Sequence, residues 1–226
     1  MAISFVESTR QQDSLLSGLE RRALHWLAAR TPRRVTSDHL TLLGFVSLLS
    51  CGVCYALSSF DPRWLLVVNA CLLLNWFGDS LDGTLARYRN HQRPRYGFYV
   101  DHIVDATGSF VLVLGLGLSP YMSVPVAAMV LIAYFLLSIN SFLATYTLGD
   151  FRISFCRLSP TEIRLLLIIG NLVLLVHPRA HLASGDYLLF DVAGLVAAAV
   201  MTALFAQAAI SNTRRLYKLE PPRRSA

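Results

Sequence analysis

Asp79 and Asp82 stand three residues apart, and Asp101 and Asp105 stand four apart. On a helix, either spacing turns both carboxylates to one face. The chain is almost wholly apolar from Trp64 to Phe77, and apolar again from 106 to Leu118. Four carboxylates are therefore held at the mouths of two strongly hydrophobic segments. A carboxylate at membrane depth is expensive and is usually retained for binding or chemistry. Four gathered together repel one another unless cations hold them. The pattern thus points to capture of divalent cations, and to chemistry on whatever anionic group those cations bind.

The elements that must position these groups are membrane helices. The chain has 226 residues, of which 54% are hydrophobic and only 15% charged. Soluble domains carry about 25% charge. A membrane-spanning helix needs about 20 apolar residues, and six stretches fit: 38–59, 62–82, 98–118, 121–147, 160–177 and 188–211. The expected architecture is an all-α integral membrane protein of six transmembrane helices with an N-terminal interfacial amphipathic helix. Its parts are a cytoplasmic segment 1–37, a membrane domain 38–211 and a basic tail 212–226 that reads as disordered. No apolar run precedes Leu40, so no cleavable signal peptide is expected.

The net charge is +6. In a soluble protein this would raise nucleic acid as a partner, but here the charges sort by position. Residues 1–37 hold six Arg, and Arg87, Arg89, Arg93 and Arg95 follow the second stretch. Arg152, Arg157 and Arg164 surround the fourth-to-fifth connection, and five more basic residues lie in the tail. That places eighteen of twenty on one side, with only Arg63 and Arg179 opposite. The positive-inside rule puts both termini and the carboxylate site in the cytoplasm. No nucleic-acid partner is expected, and the tail lies near anionic headgroups.

Asp79, Asp82, Gly83, Ala86, Arg87, Gly97, Asp101 and Asp105 match in order and spacing the signature of the CDP-alcohol phosphotransferases. The resemblance covers roughly residues 30–215. It implies an enzyme that moves a substituted phosphate from CMP to an acceptor hydroxyl in phospholipid head-group synthesis. It also implies Mg²⁺ or Mn²⁺, two ions, on Asp79, Asp82, Asp101 and Asp105. In this pattern Asp105 also takes the acceptor's proton, and Arg87 binds the CDP phosphates. Gly83, Ala86 and Gly97 shape the nucleotide cleft. The run from Thr36 to Thr41 resembles the family's first membrane helix, with Thr41 facing the nucleotide or else bonding its own backbone. The fourth stretch, with Asn140, Ser141, Thr145 and Tyr146, supplies the acceptor side. A homodimer is implied as well.

CDP-diacylglycerol with a small polar acceptor is the leading substrate pair, favoured modestly by the chain's length. Thr161-Glu162 resembles a pair in choline- and ethanolamine-phosphotransferases, which keeps CDP-choline or CDP-ethanolamine with a diradylglycerol as the alternative. A cation transporter using the four Asp is the remote alternative. It leaves Gly83, Ala86, Arg87 and Gly97 unexplained.

Other features have plainer readings. Leu16, Leu19, Ala23 and Leu27 recur at helical spacing, marking a helix over 14–30 that lies in the interface or packs on the bundle. Trp26 fits the headgroup level. Ser159, Pro160 and Glu162 read as a capping box for the fifth helix, although Glu162 could also meet a cationic head group or orient Arg164. Gly44, Ser47, Gly52, Gly108, Gly115 and Gly117 permit close helix contact. Cys51 and Cys54, in an apolar helix with no second pair, read as buried thiols. His102 diverges by about 100° from Asp101 and reads as packing.

Overall fold

Thr36 opens the first long apolar helix. It is the N-cap of a helix over Ser37–Leu57, and its Oγ1 accepts the His39 N–H at 3.3 Å while its own N–H donates to His39 Nδ1 at 3.2 Å. This is a capping box with His in the place usually held by Glu or Gln. The computed structural model describes residues 17–148, 160–182 and 185–221. Within these, α1 is Ser17–Arg30, α2 Ser37–Leu57, α3 Trp64–Tyr88, α4 Pro94–Gly117, α5 Val124–Leu148, α6 Pro160–Leu174 and α7 Leu189–Leu219.

α2 is the axis of the packing, crossed by α3 on one side and α4 on the other. Its small residues make this possible. A Cβ on Gly78 of α3 would lie 2.6 Å from the Gly44 nitrogen, and one on Gly115 of α4 would lie 1.9 Å from the Gly52 carbonyl oxygen. Backbones approach that closely only where side chains are absent. Tyr55, Leu65, Leu72, Leu116 and Phe190 belong to the main buried cluster. A second cluster, of Leu24, Ala28, Leu40, Leu81 and Leu85, fixes α1 against the ends of α2 and α3.

α5 and α7 pair along their lengths. The carboxylate of Asp191, in the first turn of α7, accepts the Ser123 N–H at 2.7 Å just before α5. Gly194 lies against Met122, Val126 and Val130. The two helices therefore start side by side and run parallel. α6 runs antiparallel to α3. Arg164 meets Asn75 and Asp79 there, while further along Asn171 Nδ2 donates to Asn69 Oδ1 at 2.8 Å and Tyr55 Oη donates to Asn171 Oδ1 at 2.9 Å.

Among the described residues, five helices, α2, α3, α4, α5 and α7, are long and apolar enough to cross a membrane. The fifth expected span, 160–177, is helical only over the fifteen residues Pro160–Leu174. The all-α class holds, with one short addition: between α6 and α7 lies an antiparallel hairpin, β1 Arg179–Leu182 with β2 Gly185–Leu188, in which His181 faces Asp186.

Two boundaries and one helix face also differ. α4 begins at Pro94 rather than near Phe98, because Pro is preorganised for the first helical position. α7 continues to Leu219, so residues 212–219 are helix and not loose tail. Arg, Lys and Leu are good helix formers, and cations suit a helix C-terminus. In α1 the inward line is Glu20, Leu24 and Ala28, whereas Ala23 is exposed. The helix is packed on α3, with Trp26 outward under the Arg30 guanidinium. Leu16, the side chain of Leu19, the Ser159 cap, Arg152, Arg157, Cys156 and residues 222–226 lie outside the described residues.

Candidate active site

The end of α3 shows how the sequence shapes the site's floor. Arg89 is the C-cap and Asn90 follows it at φ +55, a left-handed position that Asn tolerates better than most residues. His91 N–H bonds to Ala86 O at 2.9 Å and Asn90 N–H to Arg87 O at 3.2 Å. These two bonds form a Schellman motif. Arg89 Nη2 donates to Thr31 O at 2.8 Å and Nη1 to Val35 O at 2.5 Å, tying the α1–α2 linker to α3. Arg93 pairs with Asp38 and lies over the Tyr96 ring. Two arginines expected to mark topology alone therefore also hold the linker and the first turn of α2.

Above this floor the two carboxylate pairs face one pocket. Asp79 and Asp82 of α3 line it with Asp101 and Asp105 of α4, and Thr41 and Gly44 of α2 close it. A water-sized sphere can move through about 10 Å³ of it, which is the space of a single water or small ion. Asp82 is buried, Asp105 is half-buried and Asp101 is exposed. Thr41 Oγ1 lies 2.6 Å from Asp82 Oδ2 and 3.1 Å from Ser37 O, so the hydroxyl reaches its own backbone, as one of its two expectations had it, and also a pocket carboxylate.

Gly83, Ala86, Arg87 and Gly97 are not among the residues lining the pocket. The Arg87 guanidinium folds back over Gly83, and its Nη2 lies 3.3 Å from Thr84 Oγ1. A Cβ on Gly97 would meet nothing within 4 Å, so that position is open. His102 has its Nδ1 2.5 Å from Phe98 O and its ring between Phe98 and Phe142. That is a packing position.

Sequence reasoning gave no site role to Asn75 and left Arg164 as a topology charge. Arg164 Nη2 lies 2.5 Å from Asp79 Oδ2, and Nε donates to Asn75 Oδ1 at 2.7 Å. The available signal was a lone cation inside an otherwise apolar helix, which at membrane depth calls for a partner. The partner is distant in sequence, so spacing rules do not find it.

The donor set suits a hard divalent cation, since these carboxylates and the Thr41 hydroxyl offer only oxygen. Among the described residues, no three His, Cys, Asp or Glu side chains stand arranged to hold an ion as they are. The donor chemistry therefore fits, while a closed ligand shell would require side chains to turn inward.

The fold and pocket define a polytopic membrane protein with an acidic site at one end of its bundle. A family model described as CDP-alcohol phosphatidyltransferase matches residues 34–206. The chain belongs to that family, whose members are transferases that move a phosphate group from a CDP-alcohol to an acceptor and generally use divalent metal ions. No curated protein matches the chain significantly.

Proposed function

We propose that the pocket transfers the phosphatidyl group of CDP-diacylglycerol to the hydroxyl of a small polar alcohol, releasing CMP. The observation that carries this is the convergence of Asp79, Asp82, Asp101 and Asp105 on one pocket. Bound there, divalent cations would neutralise the donor pyrophosphate and polarise the phosphorus under attack. Asp79, Asp82 and Asp101 are the ligands in this reading, with Asp105 completing the set. The acceptor oxygen forms a bond to the phosphorus bearing the lipid. The bond from that phosphorus to CMP breaks, and CMP leaves with the electron pair. The acceptor's proton goes to the Asp105 carboxylate. Arg87 swings from Thr84 onto the CDP phosphates, which its planar fork suits. Gly83, Ala86 and the open position at Gly97 leave room for the nucleotide.

The pair Thr161-Glu162 had favoured a CDP-amino-alcohol donor. The Thr161 hydroxyl donates to Glu20 at 2.8 Å and so is tied to α1.

The proposal includes six crossings. α7 starts beside the start of α5, so the chain between them must return across the layer that α5 crosses. α6, antiparallel to α3, lies on that return path. The pocket end is cytoplasmic in this reading. The homodimer expected from the resemblance also stays part of the proposal, and full activity at protomer mass by light scattering would remove it.

The deciding experiment is CMP release by the purified protein with CDP-diacylglycerol, CDP-choline and CDP-ethanolamine, each against a panel of acceptors. Release with CDP-diacylglycerol alone is expected. It should stop in chelator and return with Mg²⁺ or Mn²⁺. Full activity in chelator, without bound metal, would refute the site. Release only with CDP-choline or CDP-ethanolamine would refute the donor.

A further inference from the structure

α1 precedes the membrane domain and contributes nothing to the pocket wall. It does place one carboxylate where three side chains from two other elements, α3 and α6, meet it. Glu20 Oε1 accepts the Trp76 Nε1–H at 2.8 Å and the Thr161 hydroxyl at 2.8 Å, with Ser80 Oγ at 3.4 Å. Trp76 and Ser80 flank Asp79 on α3. Thr161 lies on α6, three residues before Arg164 and so on the same helix face. Arg164 in turn bridges Asn75 and Asp79. Asn75 is itself fixed, since its Nδ2 donates to Gly44 O of α2 at 2.9 Å.

We propose that Glu20 is a positioning residue for the pocket, acting through Thr161 and Arg164 on Asp79. This rests on the reading of the pocket as a metal-dependent transfer site.

Each link has a physical reason. A carboxylate that accepts several hydrogen bonds is a strong anchor, because charge-assisted bonds are about twice as strong as neutral ones. Glu20 is seated by Leu24 and Ala28, which pack with Leu81 and Leu85. α1 is therefore docked on α3, and Thr161 is the bond by which that docking reaches α6. Arg164 is 12% exposed and pairs with an Asp79 that is 35% exposed. Leaving either charge without its partner there would be costly. The guanidinium thereby fixes the rotamer of Asp79, as outer partners commonly do for metal-binding carboxylates. Release of Thr161 frees the first turn of α6 and, one turn on, the aim of Arg164.

The test is Mn²⁺ binding to the purified full chain by electron paramagnetic resonance, with CMP release alongside. Glu20→Ala should weaken Mn²⁺ binding about tenfold, the low end of what outer partners contribute. Glu20→Gln keeps an accepting oxygen and should recover most of the affinity. Thr161→Val should reproduce the loss and Thr161→Ser should restore binding. Arg164→Ala should weaken binding too, and Glu20→Ala should add nothing in that background, because both act on one path. The exposed Arg22→Gln is the unchanged control. A merely structural Glu20 would lower melting temperature and leave the Mn²⁺ affinity of the folded fraction unmoved. That result would overturn the proposal, as would full additivity with Arg164→Ala. If Glu20→Ala yields no folded protein, the Thr161 pair decides, and wild-type affinity in Thr161→Val overturns the proposal. Asp82→Asn guards the premise. If wild-type protein binds no Mn²⁺, or Asp82→Asn binds it equally well, the pocket reading itself fails and this inference falls with it.

Discussion

Asp79, Asp82 and Asp105 share a pocket but not a set of neighbours. Asp79 pairs with Arg164 and Asp82 with the Thr41 hydroxyl, while Asp105 sits across from both on α4. Different neighbours imply different losses on substitution. Asp105→Asn keeps size and an oxygen but cannot take a proton as a carboxylate does. It should retain Mn²⁺ and donor binding and lose turnover by roughly 10²–10⁴-fold. Asp82→Asn should lower metal affinity, with partial rescue by added Mg²⁺. Arg87→Lys should raise the donor KM by roughly tenfold or more, the scale of one charged hydrogen bond. CMP-release kinetics against Mg²⁺ and donor, paired with calorimetric donor binding, read all three. Near-normal turnover in Asp105→Asn would remove it as the base, and lost donor binding would move it among the ligands. At this scale each Asp pair was legible, because helical spacing turns its two members to one face, whereas Thr41 came from the resemblance of the run from Thr36 to Thr41. Arg164, Asn75 and Glu20 were not, because their partners lie on other helices and only the packing brings them close.

Among the elements, α2 carries the most constraint, and two glycines of its neighbour α4 separate packing from binding. A Cβ at Gly115 would overlap the Gly52 carbonyl, which is backbone and cannot swing away. Gly115→Ala should destabilise the bundle by at least about 1–3 kcal/mol, as overpacking does, read as a lowered melting temperature in detergent. Gly97 is the opposite case, since a Cβ there meets nothing in the protein. Gly97→Ala should keep or raise stability by up to about 1 kcal/mol, from helix propensity. If its open space belongs to the nucleotide, the donor KM should rise at the same time. An unchanged KM would take Gly97 out of the cleft. The existence of the helices was readable from apolar runs, but their ends were less so. Pro94 and the basic stretch to Leu219 resemble loop in composition, yet each extends a helix already nucleated by its apolar neighbour. The hairpin after α6 gave no signal, as its strands are only four residues each.

Over the whole molecule, charge and topology argue for one orientation. The linker bonds of Arg89, the Arg93–Asp38 pair and α1 all gather at the pocket end. α7 starts beside Ser123, away from that end, so its basic last turns with Arg214, Arg215 and Lys218 return to it. Arg63 and Arg179 lie at the other end. By the positive-inside rule this distribution supports the proposed orientation, with the pocket end in the cytoplasm. Single cysteines in a chain otherwise free of them test this, using a membrane-impermeant maleimide on intact and lysed cells. Gln92→Cys sits in the α3–α4 connection, Lys218→Cys on the last turn of α7 and His181→Cys on the hairpin. Gln92→Cys and Lys218→Cys should be labelled only after lysis, and His181→Cys in intact cells. Lys218→Cys labelled from outside, with Gln92→Cys protected, would mean that α6 does not cross and that the spans number five. Gln92→Cys labelled from outside would invert the protein and face the carboxylates away from the cytoplasm. Each variant must first release CMP at the rate of its cysteine-free parent, so that the orientation measured is that of a working pocket.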